Sequence, residues 1–440
     1  MSIPSMHMEL DWMEPFERGT PEGVTFSDLK VLIGGCVVTE VEDRLAQTLR
    51  ESVLVSAYPL ARFLAENWWR LRWEPVPARA IPAWRLRHSL SAVGDGYSWP
   101  NLSFASDGEA IHVQLRPSGD SPTSPIRYVS ELDDWISVVE FERSVDVFME
   151  AVAGRLDAMG CSKNELADLL DALRAERSDA QLTRWRRLEA IAGYDADEAP
   201  ESLIQSLLAE GESMGWDSLQ ELTAASREQV LRDLKSLRDA LSSEGCRFRI
   251  ADLERLREAV LSETGDSKFA PWMRASTAAR ITRQVLGLNG ETVSNQRLSE
   301  LFDMPKSQFE PGVPTNSPFT ASSHPVDTSE SRMVITKSFA SGRRFAVCRL
   351  LGDRLFSNGQ GAVISAATDA STARQKFQRA FAQELLCPFD ALREMVDEDA
   401  PSEDDIETAA EHFQVSPLLV RTTLVNRHLL PRDALDAGYT

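Results

Sequence analysis

Residues 349–353 read Arg-Leu-Leu-Gly-Asp inside the longer run MVITKSFASGRRFAVCRLLGDRLF. On a helix, positions i and i+4 share a face, so two imidazoles at this spacing grip one metal ion, and a carboxylate beside the first serves as base for a metal-bound water. Here the spacing carries Arg349 and Asp353, with Leu350 between them. A guanidinium donates hydrogen bonds and ligates nothing, so the residue types predict an ion pair across one helical turn. The other nearby groups able to bind a metal are His324, Cys348 and Cys387, and they form no recognised ligand spacing. Cys348 precedes Arg349 directly and so points about 100° away from it on a helix, a poor partner for Asp353.

Other chemistries find no residues to carry them. The five cysteines, Cys36, Cys161, Cys246, Cys348 and Cys387, are odd in number and never form a CxxC pair, which argues against a disulfide framework or a thiolate zinc site. There is no GxSxG elbow and no GxxxxGK[ST] phosphate loop. His7, His88, His112, His412 and His428 stand isolated and are assigned no chemistry. No cofactor is implied.

The most aromatic and basic stretch of the N-terminal half is NWWRLRW, with Trp68, Trp69 and Trp73 interleaved with Arg70 and Arg72, and with Arg79, Trp84, Arg85 and Arg87 following. Indole faces and guanidinium groups can bind a protein partner or single-stranded nucleic acid, which makes Trp68, Trp69, Arg70, Arg72, Trp73 and Arg85 candidate partner-binding residues. Such residues more often build a core in which the arginines pair with local carboxylates or stack on the indoles.

Charge narrows the choice. With 47 basic against 68 acidic side chains the chain has a formal net charge of -21, which repels a phosphate backbone. Nucleic acid is therefore not an expected direct partner. No basic region followed by an apolar run opens the chain, and no stretch approaches the roughly 18 continuous apolar residues of a membrane span. A cytoplasmic protein is expected.

The elements that must position these groups fall into three regions of an α+β, multidomain chain. In an N-terminal α+β domain, residues 1–142, SDLKVLIGGCVVTEV and LAQTLRESVLV read as a hairpin, and AYPLARFLAENWWRLRW reads as an amphipathic helix. The runs around GDGYSWPNLSFASDGEAIHVQLRP and IRYVSELDDWISVVEFE read as further strands. A helical middle region, 143–264, carries long amphipathic segments such as VDVFMEAVAGRLDAM and QVLRDLKSLRDALSSE. Residues 265–440 form a third region, with PKSQFEPGVPTNSPFTASSHPVDTSES expected to be a long surface loop because it shows no apolar period.

This third region resembles the ImmA/IrrE family of zinc metallopeptidases in four blocks taken in order. The segment ARITRQVLGLNGETVSNQRLSELFDM is similar to the family's helical entry, and RRFAVCRLLGD stands where the family reads approximately RRFTLAHELGH. STARQKFQRAFAQELLCPFDAL resembles the following helix, and IETAAEHFQVSPLLVRTTLVNRHLL the small helical tail with its Phe-x-Val-Ser element. The resemblance implies a zincin-like, mainly helical domain. It places Arg349 at the first histidine, Leu350 at the glutamate, Asp353 at the second histidine and Gln375 at the third ligand, so these four are vestigial metal-site positions.

The implied protein is a pseudopeptidase with RLLGD in place of HExxH, acting as a protein-binding regulator or scaffold. Its partner would be a helix-turn-helix regulator or a co-encoded effector, and its setting bacterial control of mobile elements or phage defence. An active metallopeptidase with unconventional ligands is the alternative. A DNA-binding regulator ranks last, because the final 30 residues hold three arginines against three acids. Oligomeric state is left open.

Overall fold

The computed structural model describes the chain except residues 1–3, 80, 121–123, 265–269, 325–329, 357–362 and 440. It is a mixed α/β protein with sheets in its N-terminal part and a mostly helical C-terminal part. Two compact units divide it, Met1–Leu208 with Ala370–Thr372, and Ala209–Asp369 with Ala373–Thr440.

In the first unit, β1 (Met6–Trp12), α1 (Pro21–Val24), β2 (Phe26–Ile33), β3 (Cys36–Val37), β4 (Val41–Asp43), β5 (Thr48–Arg50) and β6 (Val53–Ser56) lead into α2 (Ala57–Glu66), α3 (Trp68–Trp73) and α4 (Pro82–His88). Strands β7 (Asn101–Ser106), β8 (Ala110–Arg116), β9 (Ile126–Tyr128) and β10 (Leu132–Ser137) follow, then helices α5 (Val138–Ala158), α6 (Glu165–Ser178) and α7 (Ala180–Ala192). All the sheet pairings are antiparallel: β2 lies between β1 and β6 and also pairs β3, β8 lies between β7 and β10, and β4 lies between β5 and β9. Strand β2 shows why: its burial alternates strictly along FSDLKVLI, so one face enters the core and the other faces out. Leu29, Val31, Leu60, Leu102, Val113, Phe141 and Phe148 share a single apolar cluster.

Helix α8 (Glu201–Met214) precedes α9 (Trp216–Ser226), α10 (Val230–Ser243), β11 (Cys246–Phe248), α11 (Leu253–Thr264), α12 (Pro271–Val285) and α13 (Asn295–Phe302). Then come β12 (Thr320–Ser323), β13 (Ser331–Val334), α14 (Ala340–Phe356), β14 (Ile364–Ala367), α15 (Ala373–Leu386), α16 (Phe389–Arg393), α17 (Glu403–Phe413) and α18 (Pro417–Asn426). The second unit's antiparallel sheet runs β11-β13-β12-β14. Its core gathers Phe302, Val347, Leu351, Phe377, Phe381, Leu385 and Phe413. No helix among the described residues is long and apolar enough to cross a membrane.

Three expectations are corrected. The helical middle is no separate domain: α5, α6 and α7 belong to the first unit, while α9, α10 and α11 belong to the second. The run SVVEFE is the start of α5 and not a strand, because the Ser137 hydroxyl caps the helix by accepting from the Glu140 amide at 3.1 Å. The supposed surface loop contains β12, the sequence Thr-Ala-Ser-Ser, buried between β13 and β14. Small polar side chains pack there without leaving a hydropathy period. The remainder of that loop includes residues 325–329, outside the described residues.

Candidate functional site

Helix α14 carries the RLLGD run and is buried nearly all round, from Arg343 through Leu355. Helices buried on every side are uncommon unless apolar throughout, and α14 manages it by pairing each inward arginine with fixed acceptors. Arg343 donates from Nε to the Gln308 carbonyl at 2.7 Å and from Nη1 to the Lys337 carbonyl at 3.0 Å. Arg344 reaches Asn295 and the Val293 carbonyl.

Gly352 sets the distance to the neighbouring helix. A Cβ built there would lie 2.7 to 3.0 Å from the Phe381 side chain, so only glycine lets α15 approach this closely. One residue later, Asp353 meets that helix. Arg374 grips it with both ends of its guanidinium, Nε to Oδ1 at 2.5 Å and Nη2 to Oδ2 at 2.7 Å, and Gln378 donates to Oδ1 at 2.9 Å. Asp353 is fully buried, which alone would raise its carboxyl pKa; the charge and hydrogen bonds of Arg374 outweigh burial and hold it below the usual carboxylate range.

One turn earlier, Arg349 donates from Nη2 to the Thr368 carbonyl and to Gln375 Oε1, both at 2.6 Å. The same Gln375 oxygen accepts from the Thr368 amide at 2.9 Å, while its Nε2 donates to the Ala366 carbonyl at 3.0 Å and to Glu221 at 3.1 Å. Burial, reinforced by neighbouring Arg379, lowers the Arg349 pKa to about 9, which leaves it a cation at neutral pH. Leu350 is 1% exposed and belongs to the apolar core.

The sequence positions Arg349, Asp353 and Gln375 thus come together between α14 and α15. The expected Arg349–Asp353 ion pair does not form. Asp353 turns to Arg374, whose fork matches both carboxylate oxygens, and Arg349 binds neutral oxygens instead. Nor do these side chains fit a zinc ion: a cation stands at one ligand position, and both Asp353 oxygens and the Gln375 oxygen already accept from protein donors. No family model, curated protein or solved structure matches this chain.

The remaining metal candidates are not brought into a ligand set, and no group of three potential ligands occurs among the described residues. His324 shares its ring nitrogens with Ser322 Oγ at 3.0 Å and Ser331 Oγ at 3.1 Å. Burial, helped by the charge of Arg354, pushes its pKa down to about 3. Burial pushes the Cys348 and Cys387 thiols up to about 12, so neither is a thiolate at neutral pH.

The Trp/Arg segment lies in the interior of the first unit, which corrects its reading as a partner surface. Trp68, Trp69, Arg70 and Arg72 are all buried, Trp73 is half-buried, and only Arg85 is exposed. Most of its polar groups meet carboxylates: Trp69 Nε1 donates to Glu176 at 2.6 Å, Arg70 to Glu74 and Asp195 at 2.7 Å each, and Arg72 to Glu142 at 2.5 Å, while the buried Trp68 Nε1 has no partner among the described residues. The Arg72 and Arg187 guanidiniums lie 3.7 and 3.6 Å from the Trp73 ring centre.

Arg374, Gln378, Thr368 and Glu221 were missed by sequence reasoning. A signal existed for two of them, since Arg374 and Gln378 sit at i and i+4 on α15 and so present one polar face. Nothing local points to Glu221, 154 residues from Gln375.

Proposed function

We propose that this chain is a catalytically inactive, ImmA/IrrE-like pseudopeptidase that works as a protein-binding regulatory or scaffold component. One observation carries the reading: where the resemblance calls for two imidazoles, a base and a third ligand, the chain has a buried guanidinium, a leucine, a carboxylate clamped by Arg374, and an amide bound to the guanidinium. A zinc ion could enter only by displacing Arg349 and breaking the Asp353–Arg374 pair, which would leave buried charges uncompensated. Chemistry has been traded for a cross-brace between helices, and a frame kept without its reaction is suited to recognition. The partner on this reading is a protein in the cytoplasm, a helix-turn-helix regulator or a co-encoded effector, and control of mobile elements or phage defence extends the same resemblance.

Metal content per chain, measured on untagged protein purified without chelator, tests the reading. Less than about a tenth of an equivalent of zinc, iron and manganese is expected. Near one equivalent, lost on Asp353→Ala or Cys348→Ala, would overturn the reading and make peptidase assays the next step for the alternative of a metallopeptidase with unconventional ligands.

A further inference from the structure

At the opposite end of α14 from the Asp353 clamp lies an open cleft of about 460 Å³, lined by Ala340, Ser341, Arg344, Glu407, Glu411 and Pro417 among others. That volume falls among small-ligand sites, which span roughly 300 to 1,000 Å³. Its two walls are opposite in charge.

On the α14 side, the amides of Ala340, Ser341 and Gly342 meet no acceptor among the described residues, as the first turn of a helix requires unless something outside supplies one. Arg344 stands beside them, 1% exposed. Its two Nη groups donate to neutral oxygens of Asn295 and Val293, and among the described residues its Nε–H has no partner and no carboxylate lies within ion-pair distance. A buried guanidinium that lacks a counter-ion is costly, and a ligand carboxylate would relieve it.

On the α17 side, Glu407 and Glu411 sit at i and i+4, so they present both carboxylates from one helix face. Both are exposed, and neither forms an ion pair or side-chain hydrogen bond among the described residues. The cleft therefore offers an anion seat on one wall and a cation seat on the other.

We infer that this cleft binds a basic residue with a free carboxylate, its carboxylate at Arg344 and the α14 amides and its cationic side chain at Glu407 and Glu411. Two sources share that chemistry, a free basic amino acid and the C-terminus of a peptide ending in arginine or lysine. The inference stands on cleft geometry alone and is independent of the family resemblance.

Isothermal titration calorimetry of the full chain separates the cases. The probes are L-arginine, N-acetyl-alanyl-arginine and its C-terminal amide. Saturable binding is expected, weakened about tenfold or more by amidation and by the double substitution Glu407→Gln, Glu411→Gln, whose exposed positions leave folding intact. Binding of L-arginine without the acetylated peptide assigns a free amino acid; binding of the peptide assigns a chain end. Saturation by neither probe, or binding indifferent to both the amide and the glutamine substitutions, overturns the inference.

Discussion

The Asp353–Arg374 clamp makes a quantitative prediction. The Asp353 side chain is fully buried and that of Arg374 is 10% exposed, so each charge depends on the other for compensation. Arg374→Met strands the carboxylate, and removing one partner of a buried pair costs about 3 to 5 kcal/mol. In a unit of the second unit's size this lowers Tm by roughly 6 to 20 °C, at about 2 to 4 °C per kcal/mol. Asp353→Leu strands the guanidinium and falls in the same range. The double variant Asp353→Leu, Arg374→Met removes both charges together, and apolar replacement of a whole buried pair is often neutral or stabilising. Gln378 keeps the Ala366 carbonyl as acceptor at 3.1 Å, so the double variant leaves its amide nitrogen bonded. Its loss of stability therefore falls well short of the two single losses added, with a coupling of about 2 kcal/mol or more. Scanning calorimetry of the four proteins at pH 7 reads this directly. Acid provides a second check. Because the folded Asp353 pKa is depressed, its contribution is present above the unfolded value of about 3.9 and is lost as pH falls through the folded value. The difference between wild type and double variant changes only below about pH 4. Additive single effects, or single shifts under about 3 °C, would refute the idea that the pair braces the helices.

Gly352→Ala is expected to destabilise by about 1 to 3 kcal/mol, although alanine in an open helix gains about 1 kcal/mol over glycine, because the added methyl meets Phe381 at 2.7 Å. Urea unfolding measures it, and a gain in stability would contradict the close helix approach. His324 should remain neutral through the mildly acidic range, since its folded pKa is about 3 against an ordinary 6.5. The unfolded chain takes up that proton first, so the stability owed to neutral His324 is complete above pH 6.5 and is lost as pH falls toward 3. His324→Gln therefore flattens the stability profile in that window, and an imidazole NMR titration midpoint near 6.5 would negate the assignment. Metal content and the arginine titrations complete the set.

What could be read in advance was local. Strand β2 announces itself by alternation, α2 and α3 by apolar spacing, and α7 by its end at Gly193, where φ of 88° suits glycine. Helices α12 and α13 stand where the apolar spacing around the Leu-Gly-Leu turn predicts two helices. The absence of long apolar runs in the sequence agrees with the absence, among the described residues, of a helix long and apolar enough to cross a membrane. β12 escaped notice because burial of Thr-Ala-Ser-Ser depends on its two neighbouring strands and not on its own hydropathy.

Sequence by itself determined that Arg349 and Asp353 share a face of α14, since that follows from a 3.6-residue period within one segment. Only tertiary structure decided what those side chains bind. Gly352 draws α15 close, and Arg374 then outcompetes the nearer Arg349 for Asp353 because its fork reaches both oxygens in a site closed to water. Tertiary packing likewise turned the Trp/Arg segment inward, since Glu142, Glu176 and Asp195 arrive from distant parts of the chain to neutralise it. Spacing specifies which groups can meet within one element; the partner from another element is chosen by packing, which no local pattern encodes.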